Sequence, residues 1–180
     1  MPRFEMLIGP MSSSKTTSLI NKAFQFKSIG KTVLCISPDI DTRSKSFISK
    51  NNASLSLECL KVRTLMETIE TCFSHDTICI DELQFFGDAL PFLCVLQARN
   101  YNGTVLMSAL LGDSNMRRWP TMDEVLPMMD EVTFMKAYCA ICSNGTLAPF
   151  TRCLILKEST VLIGGTAEYI SVCRHHFYNN

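Results

Sequence analysis

The strongest constraint on the fold is a succession of short, continuous apolar runs separated by stretches with helical spacing. Phe4-Glu5-Met6-Leu7-Ile8, Thr32-Val33-Leu34-Cys35-Ile36, Thr77-Ile78-Cys79-Ile80-Asp81-Glu82, Thr104 to Leu110 and Val132 to Ala137 each read as a strand. Runs of this length belong to strands covered on both faces of a sheet. Lys15 to about Ser28, Leu65 to Phe73, Asp88 to Asn100 and Met122 to Asp130 read as the intervening helices. Leu55 to Val62 reads as a further strand, and Pro38 to Ala53 as a polar loop. Strands alternating with helices predict an α/β fold with a mostly parallel sheet flanked by helices. Ligands on such a sheet gather at the carboxyl ends of the strands. Gly9–Thr16, Asp41–Arg43, Asp81–Glu82 and Leu111–Arg118 then share one rim.

The first strand runs into Gly9-Pro10-Met11-Ser12-Ser13-Ser14-Lys15-Thr16-Thr17, a tight loop followed by a helix. This is the layout of a P-loop, in which loop and helix N–H groups converge on phosphate oxygens. Lys15 is placed to reach the β- and γ-phosphates, and the Thr16 hydroxyl to hold Mg²⁺. Ser14 stands where the pattern has its second glycine. A positive φ at Ser14 would cost about 1–2 kcal/mol, enough to weaken the site roughly tenfold without abolishing it. A polar turn capping an ordinary helix is the competing reading of these residues alone.

Asp81 ends a buried strand, the position of a carboxylate that holds Mg²⁺ opposite Thr16. Glu82, beside it, is suited to accept a proton from an attacking hydroxyl. Near the C-terminus, Cys139-x2-Cys142 and Cys173-x2-His176 form two equally spaced pairs, the signature of a closed, structural zinc site. His175 is the alternative fourth ligand. The texture changes at about Tyr138, giving an expected division into an α/β domain, 1–137, and a small zinc-binding lobe, 138–180. Some forty residues rarely fold on a core of their own, and zinc would supply what is missing.

Lysine plus arginine and aspartate plus glutamate each total 17, so the formal net charge is zero. That argues against a nucleic-acid-coating protein. No apolar stretch approaches the ~20 residues needed to cross a bilayer. No export signal is read after Pro2-Arg3, and nine cysteines without one suit a reducing compartment. A soluble, cytoplasmic chain is expected. Cys35, Cys79 and Cys94 lie in apolar runs and read as small core residues. Arg117-Arg118-Trp119 reads equally as a phosphate contact or a solvated basic pair.

Taken in order, these motifs resemble the type II thymidine kinases, the cytosolic and poxviral group. Gly9-Pro10-Met11 with Lys15-Thr16-Thr17 is similar to the family P-loop, and Asp41-Thr42-Arg43 to its Asp-x-Arg element. Asp81-Glu82-Leu83-Gln84-Phe85-Phe86 resembles its Asp-Glu-x-Gln-Phe-Phe segment. Phe150-Thr151-Arg152 and Ile163-Gly164-Gly165, followed by Tyr169 and Val172-Cys173-Arg174, resemble its closing signatures. The resemblance implies a P-loop NTPase-like fold whose zinc-binding lobe carries a lasso loop. It implies ATP-dependent phosphorylation of the thymidine 5′-hydroxyl to give dTMP and ADP, with Glu82 as catalytic base and Mg²⁺ held at Thr16 and Asp81. Gly9, Pro10, Met11, Ser12, Ser13, Ser14, Lys15, Thr16, Thr17 and Arg43 would then bind the phosphates. Met11, Phe85, Thr151, Leu162, Ile163, Gly164 and Tyr169 would contact the nucleoside. A homotetramer, feedback inhibition by dTTP and a cytoplasmic location (the host cytoplasm for a viral chain) are also implied, with neither nucleic acid nor membrane as partner.

The chain departs from the family pattern at Ser14, at Leu111, where an Asp or Asn is usual, and at Ser114, where a phenylalanine usually packs on the base. Loss of one aromatic–base stack costs about 1–3 kcal/mol. These departures support an alternative expectation: a catalytically impaired or inactive scaffold that keeps the fold and zinc, with or without nucleotide binding.

Overall fold

Side chains alternate between two apolar layers along each central strand, and this alternation decides the architecture. A computed structural model describes residues 1–41, 46–49, 52–154 and 168–179. In β1 (Arg3–Gly9), Phe4, Met6 and Ile8 join one buried cluster and Leu7 the other. The same division recurs in β2 (Val33–Pro38), β6 (Thr77–Ile80) and β7 (Thr104–Leu110), where Cys35, Cys79 and Leu106 face the second cluster. With both faces covered, the strands pair in parallel in the order β5-β2-β6-β7-β1-β8, where β5 is Leu60–Val62 and β8 is Glu131–Phe134.

Helix α1 (Lys15–Ser28) covers one face with Leu19, Ile20 and Ala23, all fully buried. Each such leucine or isoleucine contributes about 1.5–3 kcal/mol. Gly30, at φ +80°, ends the helix, its N–H bonding the Lys27 carbonyl. The opposite face is covered by α3 (Ala89–Ala98), through Phe92, Leu93 and Leu96, and by α4 (Pro120–Val125), through Met122 and Val125. A single turn, α2 (Ile69–Cys72), follows the 3₁₀ turn Leu65–Thr68.

The segment 38–53 is not a loop throughout: β3 (Ser46–Ser49) pairs antiparallel with β4 (Asn52–Glu58). The strand read over 55–62 is thereby broken at Cys59 into β4 and β5. The helix read from Met122 starts earlier, at Pro120, and ends at Val125 in a 3₁₀ turn containing Pro127. The last sheet strand stops at Phe134. Cys94 is exposed, not core, because it lies on the solvent side of α3.

Beyond β8 come two small antiparallel ribbons, β9 (Ala137–Tyr138) with β10 (Leu147–Ala148), and β11 (Phe150–Cys153) with β12 (Tyr169–Val172). Helix α5 (Arg174–Tyr178) closes the described chain. Ala137, Cys139, Ala148, Val172 and Cys173 form a third, much smaller cluster there.

Candidate active site

Gly9 ends β1 where another backbone passes very close. A Cβ there would lie 2.4 Å from the Met135 carbonyl oxygen, so glycine is required by contact and not by dihedral angle. The chain then bends twice into the left-handed region, at Ser12 (φ 58°) and Ser14 (φ 64°). The positive φ anticipated for Ser14 is therefore present. Ser13 and Lys15 both donate to the Pro10 carbonyl, at 2.8 and 2.6 Å, and both side chains are buried. Helix α1 starts with no side-chain cap and no acidic residue in its first turn, which leaves its N-terminal field to an anion.

Asp81, at the end of β6, joins three elements. Its Oδ2 accepts from Thr16 Oγ1 at 2.8 Å, and its Oδ1 accepts from the Ser108 hydroxyl in β7 and from the Glu82 N–H at 3.1 Å. Burial pushes the Asp81 carboxyl above its ordinary pKa, and the Glu82 carboxylate adds to the rise. Bonds from Ser108 and Thr16, with the Lys15 charge, oppose it. Lys15, Thr16 and Glu82 thus all act on the one carboxylate of Asp81. Glu82 itself is turned into the left-handed region (φ 54°, ψ 44°). Its Oε2 accepts from Gln84 Nε2 at 2.6 Å, while Gln84 Oε1 accepts from the Leu110 N–H at 3.0 Å.

Ser108 was not singled out from the sequence, and Gln84 entered only as one position of the segment 81–86, with no role of its own. The available signal was a polar residue inside an otherwise apolar segment: Ser108 interrupts the run 104–110, and Gln84 lies 5 % exposed between Leu83 and Phe85. Buried polar groups need partners.

The C-terminal ribbons reach back to this rim. The Met11 N–H donates to Thr151 Oγ1 at 2.9 Å, and the Met11 carbonyl accepts from the Ser171 hydroxyl. A cavity of about 160 Å³ opens alongside, lined by Pro10, Leu111, Asp113, Met116, Phe150 and Thr151 among others. Phe85 meets Trp119 edge to face, with centroids 5.6 Å apart, and Tyr169 is buried in β12. Arg118 pairs with Asp123 at 2.9 Å on the exposed surface. Arg43, Leu162, Ile163 and Gly164 lie outside the described residues.

Cys139, Cys142, Cys173 and His176 converge, all four ligand atoms lying within 4.8 Å of one another. His176 Nδ1 is 3.6, 3.3 and 3.4 Å from the sulfurs of Cys139, Cys142 and Cys173, and the latter two sulfurs are 3.9 Å apart. A tetrahedron with ~2.3 Å bonds to sulfur and ~2.0 Å to nitrogen has edges of roughly 3.5–3.8 Å, so the set fits a structural zinc ion. Burial disfavours ionising the Cys139 thiol, yet the N–H groups of Cys142, Cys173 and Ile141 aimed at its sulfur bring its pKa down to about 6. His176 is the histidine that joins the three cysteines, while His175 lies beside Asn179 and packs edge-on against His176.

The family model for thymidine kinase matches residues 3–177. The chain belongs to the thymidine kinase family. It is 32 % identical to thymidine kinase a of Arabidopsis thaliana, over 97 % of this chain and 74 % of that protein. It is 30 % identical to the thymidine kinase of Choristoneura biennis entomopoxvirus, over 98 % and 96 % of the two chains. Cytosolic thymidine kinase of Cricetulus griseus is 30 % identical over 96 % and 71 %. Membership of the thymidine kinase family implies a nucleoside and a nucleotide as substrates. Among the described residues, no helix is long and apolar enough to cross a membrane.

Proposed function

We propose that the chain transfers the γ-phosphoryl group of ATP to the 5′-hydroxyl of thymidine, giving dTMP and ADP for DNA precursor synthesis. The observation that carries this reading is the 2.8 Å bond from Thr16 to Asp81, which joins the phosphate loop to the acid pair. A scaffold without chemistry has no need of Lys15, Thr16, Asp81 and Glu82 together, and this weighs against an inactive descendant.

Residues 9–17 and Arg43 bind the triphosphate, with Lys15 near the β- and γ-phosphates. Thr16 and Asp81 would hold Mg²⁺, which would supply charge neutralisation on the phosphates being separated. A buried carboxylate already raised in pKa by desolvation gains most from such a cation. Glu82 takes the 5′-hydroxyl proton as that oxygen bonds the γ-phosphorus and the bond to the β-phosphate oxygen breaks, ADP leaving with the electron pair. Gln84, donating to Glu82, keeps its carboxylate an acceptor. Thr151, Leu162, Ile163 and Gly164 hold the thymine base, Met11 and Phe85 add apolar contacts and Tyr169 a contact near the sugar; of these, Thr151 lines the cavity beside Leu111. Residues 1–137 form the kinase domain and 138–180 a zinc-stapled lobe with the lasso loop. A homotetramer, feedback by dTTP and a cytoplasmic location (host cytoplasm for a viral chain) complete the proposal, by analogy with cytosolic and poxviral relatives.

Transfer of labelled phosphate from ATP to thymidine, deoxyuridine and deoxycytidine tests it. The unaltered chain should label thymidine. Glu82→Gln should bind ADP normally and turn over about 10²–10⁴ times more slowly. Absence of labelling with all three nucleosides would overturn the reading.

A further inference from the structure

We propose that Thr151 and Ser171 act together as a positioning pair that holds the phosphate loop in its bent form and so sets its affinity for nucleotide. This rests on the reading of that loop as the nucleotide site and goes beyond it, because neither residue is assigned to the phosphates.

The two residues face one another across the β11–β12 ribbon and are 6 % and 4 % exposed. Their hydroxyls engage both polar backbone groups of a single residue: Thr151 accepts from the Met11 N–H at 2.9 Å, and Ser171 donates to the Met11 carbonyl. The ribbon thereby grips the loop as a neighbouring strand's backbone would, but through side chains. Met11 stands immediately before the two left-handed bends at Ser12 and Ser14. A serine in that region persists only when its surroundings over-determine it. The Pro10–Met11 peptide is held at its carbonyl by Ser13 and Lys15 and at its N–H by Thr151, and the Met11–Ser12 peptide is held by Ser171, so neither plane rotates freely to release Ser12. Ser171 is itself held, its carbonyl accepting from the Ala140 N–H at 3.0 Å. Glycine at position 14 would take the left-handed angle unaided; serine needs the grip.

The test uses the full, zinc-loaded chain carrying Thr151→Val or Ser171→Ala, alone and with Ser14→Gly. Affinity for Mg·ADP is measured by calorimetry, and amide hydrogen exchange over residues 11–16 in the absence of nucleotide. Each single variant should weaken Mg·ADP about tenfold and speed exchange over the loop, with zinc content and exchange in β1 and β7 unchanged. Thr151→Ser, which keeps the hydroxyl, should stay within about twofold of the parent. With glycine at 14, the same Ser171→Ala change should weaken binding only about two- to threefold. Equal losses in both backgrounds, or unaltered loop exchange, would overturn the pairing and leave the two residues as ordinary packing. Should the parent chain bind no Mg·ADP, the nucleotide reading of the loop falls, and the exchange data decide the grip without it.

Discussion

Gln84 has both ends of its amide committed, and this makes it informative at the scale of single residues. The Leu110 N–H can only donate, so the oxygen of Gln84 must face it and the NH₂ group must face Glu82. Gln84→Leu removes both bonds and should lower kcat about tenfold to a hundredfold while KM for ATP stays within about twofold, as steady-state kinetics would register. Gln84→Glu, which sets a second carboxylate against Glu82, should be worse still. Placement at fixed spacing was legible beforehand: Thr16 meets Asp81, and the Cys/His pairs converge. The bonds made by Gln84, Ser108 and Ser171 were not, because one polar residue in an apolar run announces a partner without naming it. Cys94 misled for a related reason. An apolar run on a helix does not state its phase, and α3 buries Phe92, Leu93 and Leu96 while turning Cys94 outward.

Among elements, the central strands were readable because double-sided burial leaves continuous apolar runs, and β7 has the predicted bounds. The β3–β4 hairpin was missed because serine and asparagine dominate its first half, and such residues read as loop. Pro120 is a signal that should have set the start of α4, since proline suits the first helical turn. At the other end of the sheet, Asp76 ties strand entrances together. Its carboxylate accepts from the Thr32 N–H and hydroxyl, both at 2.9 Å, and from Lys31 at 3.1 Å, while its carbonyl accepts from the Thr104 N–H. The Thr32 N–H, then the Thr32 hydroxyl and Lys31, hold its pKa down at about 2. A carboxyl depressed in the folded state stabilises fully above its unfolded pKa of about 4, and the contribution disappears as pH falls through about 2. The gap in Tm between the parent and Asp76→Asn should therefore be constant from pH 5 to 8 and narrow below pH 4 in thermal scans. A gap that widened in acid would contradict these bonds.

At the scale of the whole molecule, the smallest apolar cluster is the one beside the Cys/His set, and the ribbon that grips Met11 is continuous with Cys173. A structural zinc ion contributes about 10–16 kcal/mol in small peptides, more than so few buried side chains could replace. Chelation, or Cys142→Ser, should unfold residues from about 138 onward while the six-stranded sheet survives. Circular dichroism should show a new low-temperature transition, and Mg·ADP affinity should fall with it. Loss of sheet and ribbons in one step would show instead that the two share a single cooperative core.

The close approach at Gly9 carries a consequence for how such chains can be recombined. The chain leaving β8 brings the Met135 carbonyl oxygen within 2.4 Å of where a Gly9 Cβ would sit, only a few residues before Cys139. A crossover between two homologous genes placed just after β8 would join one parent's loop to the other parent's underside. Any single crossover between positions 9 and 135 divides the two partners between parents, whereas exchange of a block lying wholly inside that interval keeps Gly9 and Met135 together.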